Sequence, residues 1–168
     1  MAIFRRRKEL KTNYEKRFSL LKSRTNRLVL RITNQYVWAQ YVVHNTKGDL
    51  IKLSLISKIL KEFGWDKGFK SLPASYLLGY LFGKKSIETK LSKDLILDLG
   101  LQKSFKKGRI YAFVKGAIDA GLNIPVEKDV LPSQERIEGK HIKSEALFKK
   151  VKEAIDAKKW YVWLINLN

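Results

Sequence analysis

The fold is decided by Arg27-Leu-Val-Leu-Arg-Ile-Thr33 and the segments directly after it: Asn34-Gln35, Tyr36-Val-Trp-Ala-Gln-Tyr-Val-Val-His44, Asn45-Thr-Lys-Gly-Asp49 and Leu50-Ile-Lys-Leu-Ser-Leu55. In the first segment Leu28, Leu30 and Ile32 alternate with Arg27, Val29, Arg31 and Thr33. A period of two predicts a strand with one apolar face and one face carrying two arginines. Asn34-Gln35 is short enough for a tight connection to a second strand over residues 36–44. Lys47-Gly48 centres a turn into a third strand over residues 50–55. Three consecutive strands with short turns make an antiparallel meander.

Beyond the meander the periodicity changes. Pro73 suits the first turn of a helix running to about residue 91, with Leu77, Leu78, Leu81 and Phe82 as its buried face. Residues 95–99 form a short apolar run bounded by Asp94 and Gly100, which suits a buried strand. Residues 109–120 have helical spacing, with Ile110, Phe113, Val114, Ala117 and Ile118 inward and Gly121 as the stop. The expected class is α/β: a three-stranded antiparallel meander followed by α-β-α, with a mixed sheet. Before it, residues 1–11 read as a flexible basic arm. Thr12 and Glu15 have capping-box spacing for a helix starting at Asn13, with Tyr14, Phe18 and Leu21 on one face. After it come a looped segment marked by Pro125 and Pro132, an amphipathic helix over residues 144–159 and an apolar tail at 160–168. The implied division is a basic arm and helix (1–25), an α/β domain (26–124) and a helical C-terminal extension (125–168).

Charge narrows the function. The 168 residues include 35 Lys and Arg against 16 Asp and Glu, a net charge of +19, and no cysteine. Disulfides, thiolate nucleophiles and cysteine-based zinc sites are therefore excluded. Residues 1–31 carry +9, residues 32–121 carry +8 and residues 122–168 only +2. The partner expected is a polyanion, either nucleic acid or an anionic membrane surface. The N-terminal run is rich in arginine, whose planar fork matches phosphate and stacks on bases, and this favours nucleic acid. Arg5, Arg6, Arg7, Lys8, Lys11, Arg17, Lys22, Arg24, Arg27 and Arg31 are the candidate contacts. A second cluster, Lys103, Lys106, Lys107 and Arg109, precedes a predicted helix whose N-terminus adds affinity for phosphate. No apolar run approaches the roughly 20 residues of a membrane helix, and no signal-peptide pattern opens the chain, so an intracellular protein is expected.

Catalytic patterns are sparse. Gly79-Tyr-Leu-Phe-Gly-Lys-Lys-Ser86 imitates a phosphate-binding loop, but three residues separate the glycines instead of four. The segment also falls inside a predicted helix, where small residues serve close packing. Asp94, Asp98, Asp119 and Glu127 leave open a metal-dependent nuclease, the alternative to a non-catalytic RNA binder. His44 reads as structural. Tyr14, Phe18, Tyr36 and Trp38 either stack on unpaired bases or belong to the core. No metal or cofactor is called for.

Several stretches carry a family resemblance: Lys11-Thr-Asn-Tyr-Glu-Lys-Arg17, Leu20-Leu-Lys-Ser-Arg-Thr25, Lys47-Gly-Asp49, Gly64-Trp65, Pro73-Ala74, Lys115-Gly-Ala-Ile-Asp-Ala-Gly121 and Pro132-Ser-Gln-Glu-Arg-Ile-Glu-Gly-Lys-His-Ile142. In this order they resemble the archaeal type of universal large-subunit ribosomal protein eighteen, which binds 5S ribosomal RNA. The resemblance implies a ribonuclease H-like arrangement without its active site. It also implies a cytoplasmic place in the central protuberance of the large subunit. The implied partners are 5S rRNA, the large-subunit rRNA and neighbouring ribosomal proteins, with no membrane. By position, the family's 5S contacts fall on Asn13, Tyr14, Arg17, Lys22, Arg24 and Arg27, and further ones on Lys140 and His141; Arg5, Arg6, Arg7 and Lys8 match its basic start. Residues 158–168 match nothing in the family and are expected to dock on their own domain.

Overall fold

The alternating sequence of the meander forms strands β1 (Asn26–Ile32), β2 (Val37–Val43) and β3 (Leu50–Ile56). In the computed structural model, which describes residues 5–158, β2 lies antiparallel to both of the others. A fourth strand, β4 (Leu95–Asp98), returns parallel to β1, so the mixed sheet has the order β3-β2-β1-β4. The helices in chain order are α1 (Arg5–Lys8), α2 (Tyr14–Lys22), α3 (Leu72–Glu88), α4 (Arg109–Asp119), α5 (Gln134–Glu138) and α6 (Glu145–Ala157). The apolar tail at 160–168 and the first four residues of the basic arm lie outside the described residues.

Pairing register sorts the side chains between two faces. Leu28 opposes Tyr41 and Leu97, and Leu30 opposes Ala39; Leu28, Leu30, Ala39 and Tyr41 are all buried in the helical layer. The other face carries Arg27 opposite Val42 and Ile96, Val29 opposite Gln40 and Asp98, and Arg31 opposite Trp38.

The crossover that makes β4 parallel to β1 runs through α3. Ser71 caps this helix by accepting a hydrogen bond from the Ala74 amide, and Pro73 sits in its first turn, where an N–H has no partner to lose. Instead of one buried face, α3 is buried on all sides from Leu72 to Gly83. It is enclosed by α4, by the 3₁₀ segment Ser57–Phe63 after β3, and by α5 and α6. That 3₁₀ segment has no counterpart in the sequence reading. The helix stops at Glu88, three residues short of expectation, with Thr89 at its C-cap.

Glycines set the α3–α4 spacing. A Cβ at Gly79 would strike the Phe113 carbonyl, and one at Gly116 would strike the carbonyl of Tyr76. A Cβ at Gly83 would strike the Ala120 side chain just after α4. The apparent phosphate loop is thus the packing surface of a buried helix. Phe148, Val151 and Ile155 of α6 join the same core as Ile137 of α5.

Two N-terminal expectations change. Residues 5–8 of the basic arm form a helical turn, with Arg5 Nε 2.8 Å from a Glu9 carboxylate oxygen. The next helix, α2, is capped by Asn13, whose side chain accepts from the Lys16 amide at 3.0 Å. Thr12 does not cap it, because its hydroxyl accepts from Arg6 Nε at 2.9 Å.

Gly116→Ala is expected to lower the unfolding free energy by about 1–3 kcal/mol, the usual cost of forcing a methyl into a packed contact. Urea denaturation measures this; an unchanged midpoint would contradict the close approach of the two helix backbones.

Candidate nucleic-acid interface

The candidate cations fall into three environments, and the first is interior. Arg27 is only 2% exposed. One guanidinium nitrogen lies 2.6 Å from Asp49 Oδ2 and another 3.1 Å from Asp98 Oδ2. Its Nε has no hydrogen-bond partner among the described residues. Burial alone would raise the Asp49 carboxyl. Hydrogen bonds from Arg27 and His44, with the charges of Arg27 and Arg17, hold it below the ordinary aspartate value. Arg31 donates to the Asp98 and Leu30 carbonyls, both at 2.8 Å, and is half-buried. These two arginines hold the sheet together, and Arg27 is withdrawn from any phosphate.

The second environment is α2 and the segment before it. Arg17 reaches Asp49 Oδ2 at 2.6 Å, and Lys16 Nζ donates to the Gly100 carbonyl at 3.3 Å, so the helix is tied to the end of β4 and the turn before β3. Arg17 turns the helix so that Tyr14, Arg17 and Leu21 face inward, half-buried. Phe18, expected beside Tyr14 and Leu21, is turned out and 61% exposed, with Lys22 Nζ 4.9 Å from its ring centre. Lys22 and Arg24 are exposed, and Arg24 sits in a left-handed turn (φ +53°) that leads into β1. Arg5, Arg6, Arg7, Lys8, Lys11 and Asn13 are exposed as well. Arg7, Asn13, Tyr14 and Leu101 line a shallow cleft of about 270 Å³. Trp38, read as either stacking or core, lies on the open sheet face and is exposed, its indole N–H donating to Ser54 Oγ at 2.8 Å. Tyr36 is half-buried at the connection before β2, its ring centre 5.9 Å from that of Phe69.

The third environment is a groove of about 690 Å³ at the start of α4. Lys103, Lys107 and Arg109 line it as the cluster reading implies, whereas Lys106 is exposed outside it. Lys70, Arg136 and Phe105 also line it, and sequence reasoning does not find them. Phe105 carries the signal applied to Phe18, an aromatic flanked by lysines, while Lys70 and Arg136 are distant in sequence and join only through the fold. Lys140 and His141 lie exposed on the turn after α5, with Lys140 Nζ 2.9 Å from Glu135.

The carboxylates considered for a metal do not converge. Asp98 serves Arg27 and Arg31, Asp119 accepts from the Tyr76 hydroxyl at 2.7 Å, and Asp94 accepts from Asn123 at 2.7 Å. Among the described residues no three acidic or histidine side chains group for an ion, and no helix is long and apolar enough to cross a membrane. His44 lies 3.3 Å from Asp49.

Comparison with known proteins agrees with the family resemblance. A family model described as ribosomal large subunit proteins 60S L5 and 50S L18 matches residues 2–95. The large ribosomal subunit protein uL18 of Methanosphaera stadtmanae is 48% identical over 139 residues, covering 83% of this chain and 72% of that protein. Its counterpart in Korarchaeum cryptofilum is 44% identical over 141 residues, covering 84% and 72%. The chain belongs to the uL18 family. The uL18 proteins are structural components of the large ribosomal subunit, which answers the nuclease alternative: this member is not an enzyme.

Arg27→Met is expected to cost about 3–5 kcal/mol, because two largely buried carboxylates lose the buried cation they share and keep only the more exposed Arg17 and Arg31; thermal or urea unfolding measures it. A depressed aspartate stabilises the fold above the unfolded-state value, about 3.9, and that contribution is lost as pH falls through the lower folded value. Wild-type stability should therefore drop below about pH 4, and Asp49→Asn should flatten that part of the profile. Identical acid profiles for the two proteins would exclude Asp49 as a contributor.

Proposed function

We propose that this chain binds 5S ribosomal RNA and anchors it in the central protuberance of the cytoplasmic large subunit, while also contacting the large rRNA and neighbouring proteins. The observation that carries this reading is the pose of α2. With Arg17 and Lys16 tied inward, the helix turns Phe18, Lys22 and the following Arg24 toward solvent. An exposed ring flanked by cations suits an unpaired base beside its phosphates, which is how folded RNA is commonly gripped. Arg5 to Lys8 and Lys11 extend the positive surface, and their cations release counterions from the RNA backbone. Asn13 and Tyr14 support the surface through the cap and the inner face of the helix. Arg27 contributes through stability. Lys140 and His141 are exposed far from α2 in sequence and suit a second RNA or protein contact.

Deleting the N-terminal segment would also take Arg17 away from Asp49, the carboxylate that Arg27 shares, so point substitutions make the cleaner test. Phe18→Ala is expected to weaken 5S rRNA binding by about 1–3 kcal/mol, the usual worth of a base stack. Arg24→Ala should weaken binding and reduce the salt dependence by nearly one unit of slope. Filter-binding titrations over a sodium chloride series measure both. Wild-type affinity and slope in the double variant would overturn the role of α2.

A further inference from the structure

Strand β3 stands last in the strand order and pairs with β2 alone, so one of its edges is open among the described residues. An open edge exposes unpaired backbone N–H and C=O groups, and folded proteins guard it with lysine, proline, a bulge or a covering segment. Half of β3 is guarded in this way. Tyr41 and Val42 oppose Leu53 and Ile51, which leaves Lys52 as an extra residue that breaks the register. Residues 53–56 continue in regular register and carry neither charge nor proline. Apolar surface accompanies this half: Ile56 is 39% exposed and its cross-strand neighbour Trp38 44%. On the helical side Leu53 and the following Ile59 are only partly covered.

The described residues end close by. Helix α6 closes at Ala157, and Lys158 leaves it with extended backbone (φ −80°, ψ +105°). The Lys158 ammonium lies 3.9 Å from Glu62 and 4.9 Å from the ring centre of Phe63, both in the 3₁₀ segment that directly follows Ile56. Residues 159–168 follow, and from Trp160 onward they carry no charged side chain. Only two other charge-free runs are as long, residues 32–46 and 71–83, and these supply the interior strand β2 and the enclosed body of α3. The sequence of this third run suits a strand. Trp160, Tyr161, Val162, Trp163, Leu164 and Ile165 are aromatic or branched, and both parities are apolar, which fits a strand with cover on each side.

Reach and direction agree. Passing the 3₁₀ segment takes about 14 Å at about 2.0 Å per residue. About four extended residues span that, which leaves roughly six to run beside residues 53–56. A tail arriving at the Ile56 end runs back toward Leu53, antiparallel to β3. The other way from Lys158 leads to the C-terminal end of α3, where Lys84, Lys85, Glu88 and Lys90 offer charge instead of apolar surface. From these observations we propose that residues 163–167 add to the 53–56 half of β3 as an antiparallel fifth strand, closing the sheet edge and covering Ile56 and Trp38. The tail is favoured over a second copy because a short tether holds it beside the edge at an effective concentration on the order of millimolar. This inference goes beyond the RNA-binding function and does not depend on it.

The chain has no cysteine, so an introduced pair reports on one contact. In the full chain, Ser54→Cys is combined in turn with Trp163→Cys, Leu164→Cys, Ile165→Cys and Asn166→Cys, oxidised in dilute solution and read by mass spectrometry. Side chains alternate along a strand, and a disulfide needs Cα atoms about 4.4–6.8 Å apart. Cross-links within one chain should therefore form at one parity, 163 with 165 or 164 with 166, and be lost at the other. Equal yields at all four positions, or no yield at any, would overturn the strand. Cross-links solely between two chains would assign the edge to a second copy and overturn the tail as its occupant. Hydrogen exchange on the cysteine-free full chain is the second measurement. Amides of residues 53–56 and 163–167 should be protected, and Leu164→Lys with Ile165→Lys should release both segments while residues 72–83 stay protected. Exchange at residues 53–56 that is unchanged in this variant would overturn docking at the edge. Tail protection that arises only with phosphatidylglycerol vesicles, or only with 5S rRNA, would assign the tail to that partner and count against the proposal.

Discussion

The fold depends on one guanidinium out of reach of water. Arg27 sits on β1, yet its charge is answered by Asp49 just before β3 and by Asp98 at the end of β4. Removing an arginine from water costs several kcal/mol, and only close, well-placed carboxylates offset that. The two acidic groups flank the sheet from opposite edges, so their meeting at Arg27 requires the strand order to be correct. Asp49 then has a second oxygen-sharing partner in Arg17, which draws α2 onto the sheet. One cluster of charges thus specifies both the β-layer and the pose of the basic helix above it.

The strands are legible in the sequence because burial on one face of a sheet imposes a period of two, and Leu28, Leu30, Ala39 and Tyr41 follow it. Helix α4 is legible because one apolar stripe meets α3. The enclosure of α3 on every side is not, since Tyr76 and Tyr80 look like an outer face until α6 closes over them, the first against Phe148 and the second against Asp156. Helix α2 has its expected place along the chain but a different rotation: hydrophobicity points Phe18 inward, while the Arg17–Asp49 ion pair turns it outward. Arg27 resembles a surface cation for a related reason. Its partners lie 22 and 71 residues away, and local patterning carries no trace of such pairings. The groove beside α4 is half legible, as a lysine cluster without Lys70, Arg136 or Phe105.

Positive charge in this protein therefore does three kinds of work. Within the sheet it is consumed by Asp49 and Asp98. Along the N-terminal segment it is partly balanced by Glu9, Glu15 and Asp49, which fixes the geometry of the cations left exposed. Around the start of α4 it lines a groove with no carboxylate among its lining residues. A net charge of +19 describes all three equally and distinguishes none of them.

The clamp on α2 also has a consequence for timing. The helix leaves the synthesising ribosome early, but Asp49 is made some thirty residues later, and Asp98 and Gly100 only after most of the sheet and α3. Until then nothing turns Phe18 outward or holds Arg17 inward. A nascent chain has the basic residues without their final arrangement, and the arranged surface comes into being only when the α/β layer closes. The proposed recognition is in this way made conditional on completed folding, and a truncated or misfolded copy carries the same charges without presenting them.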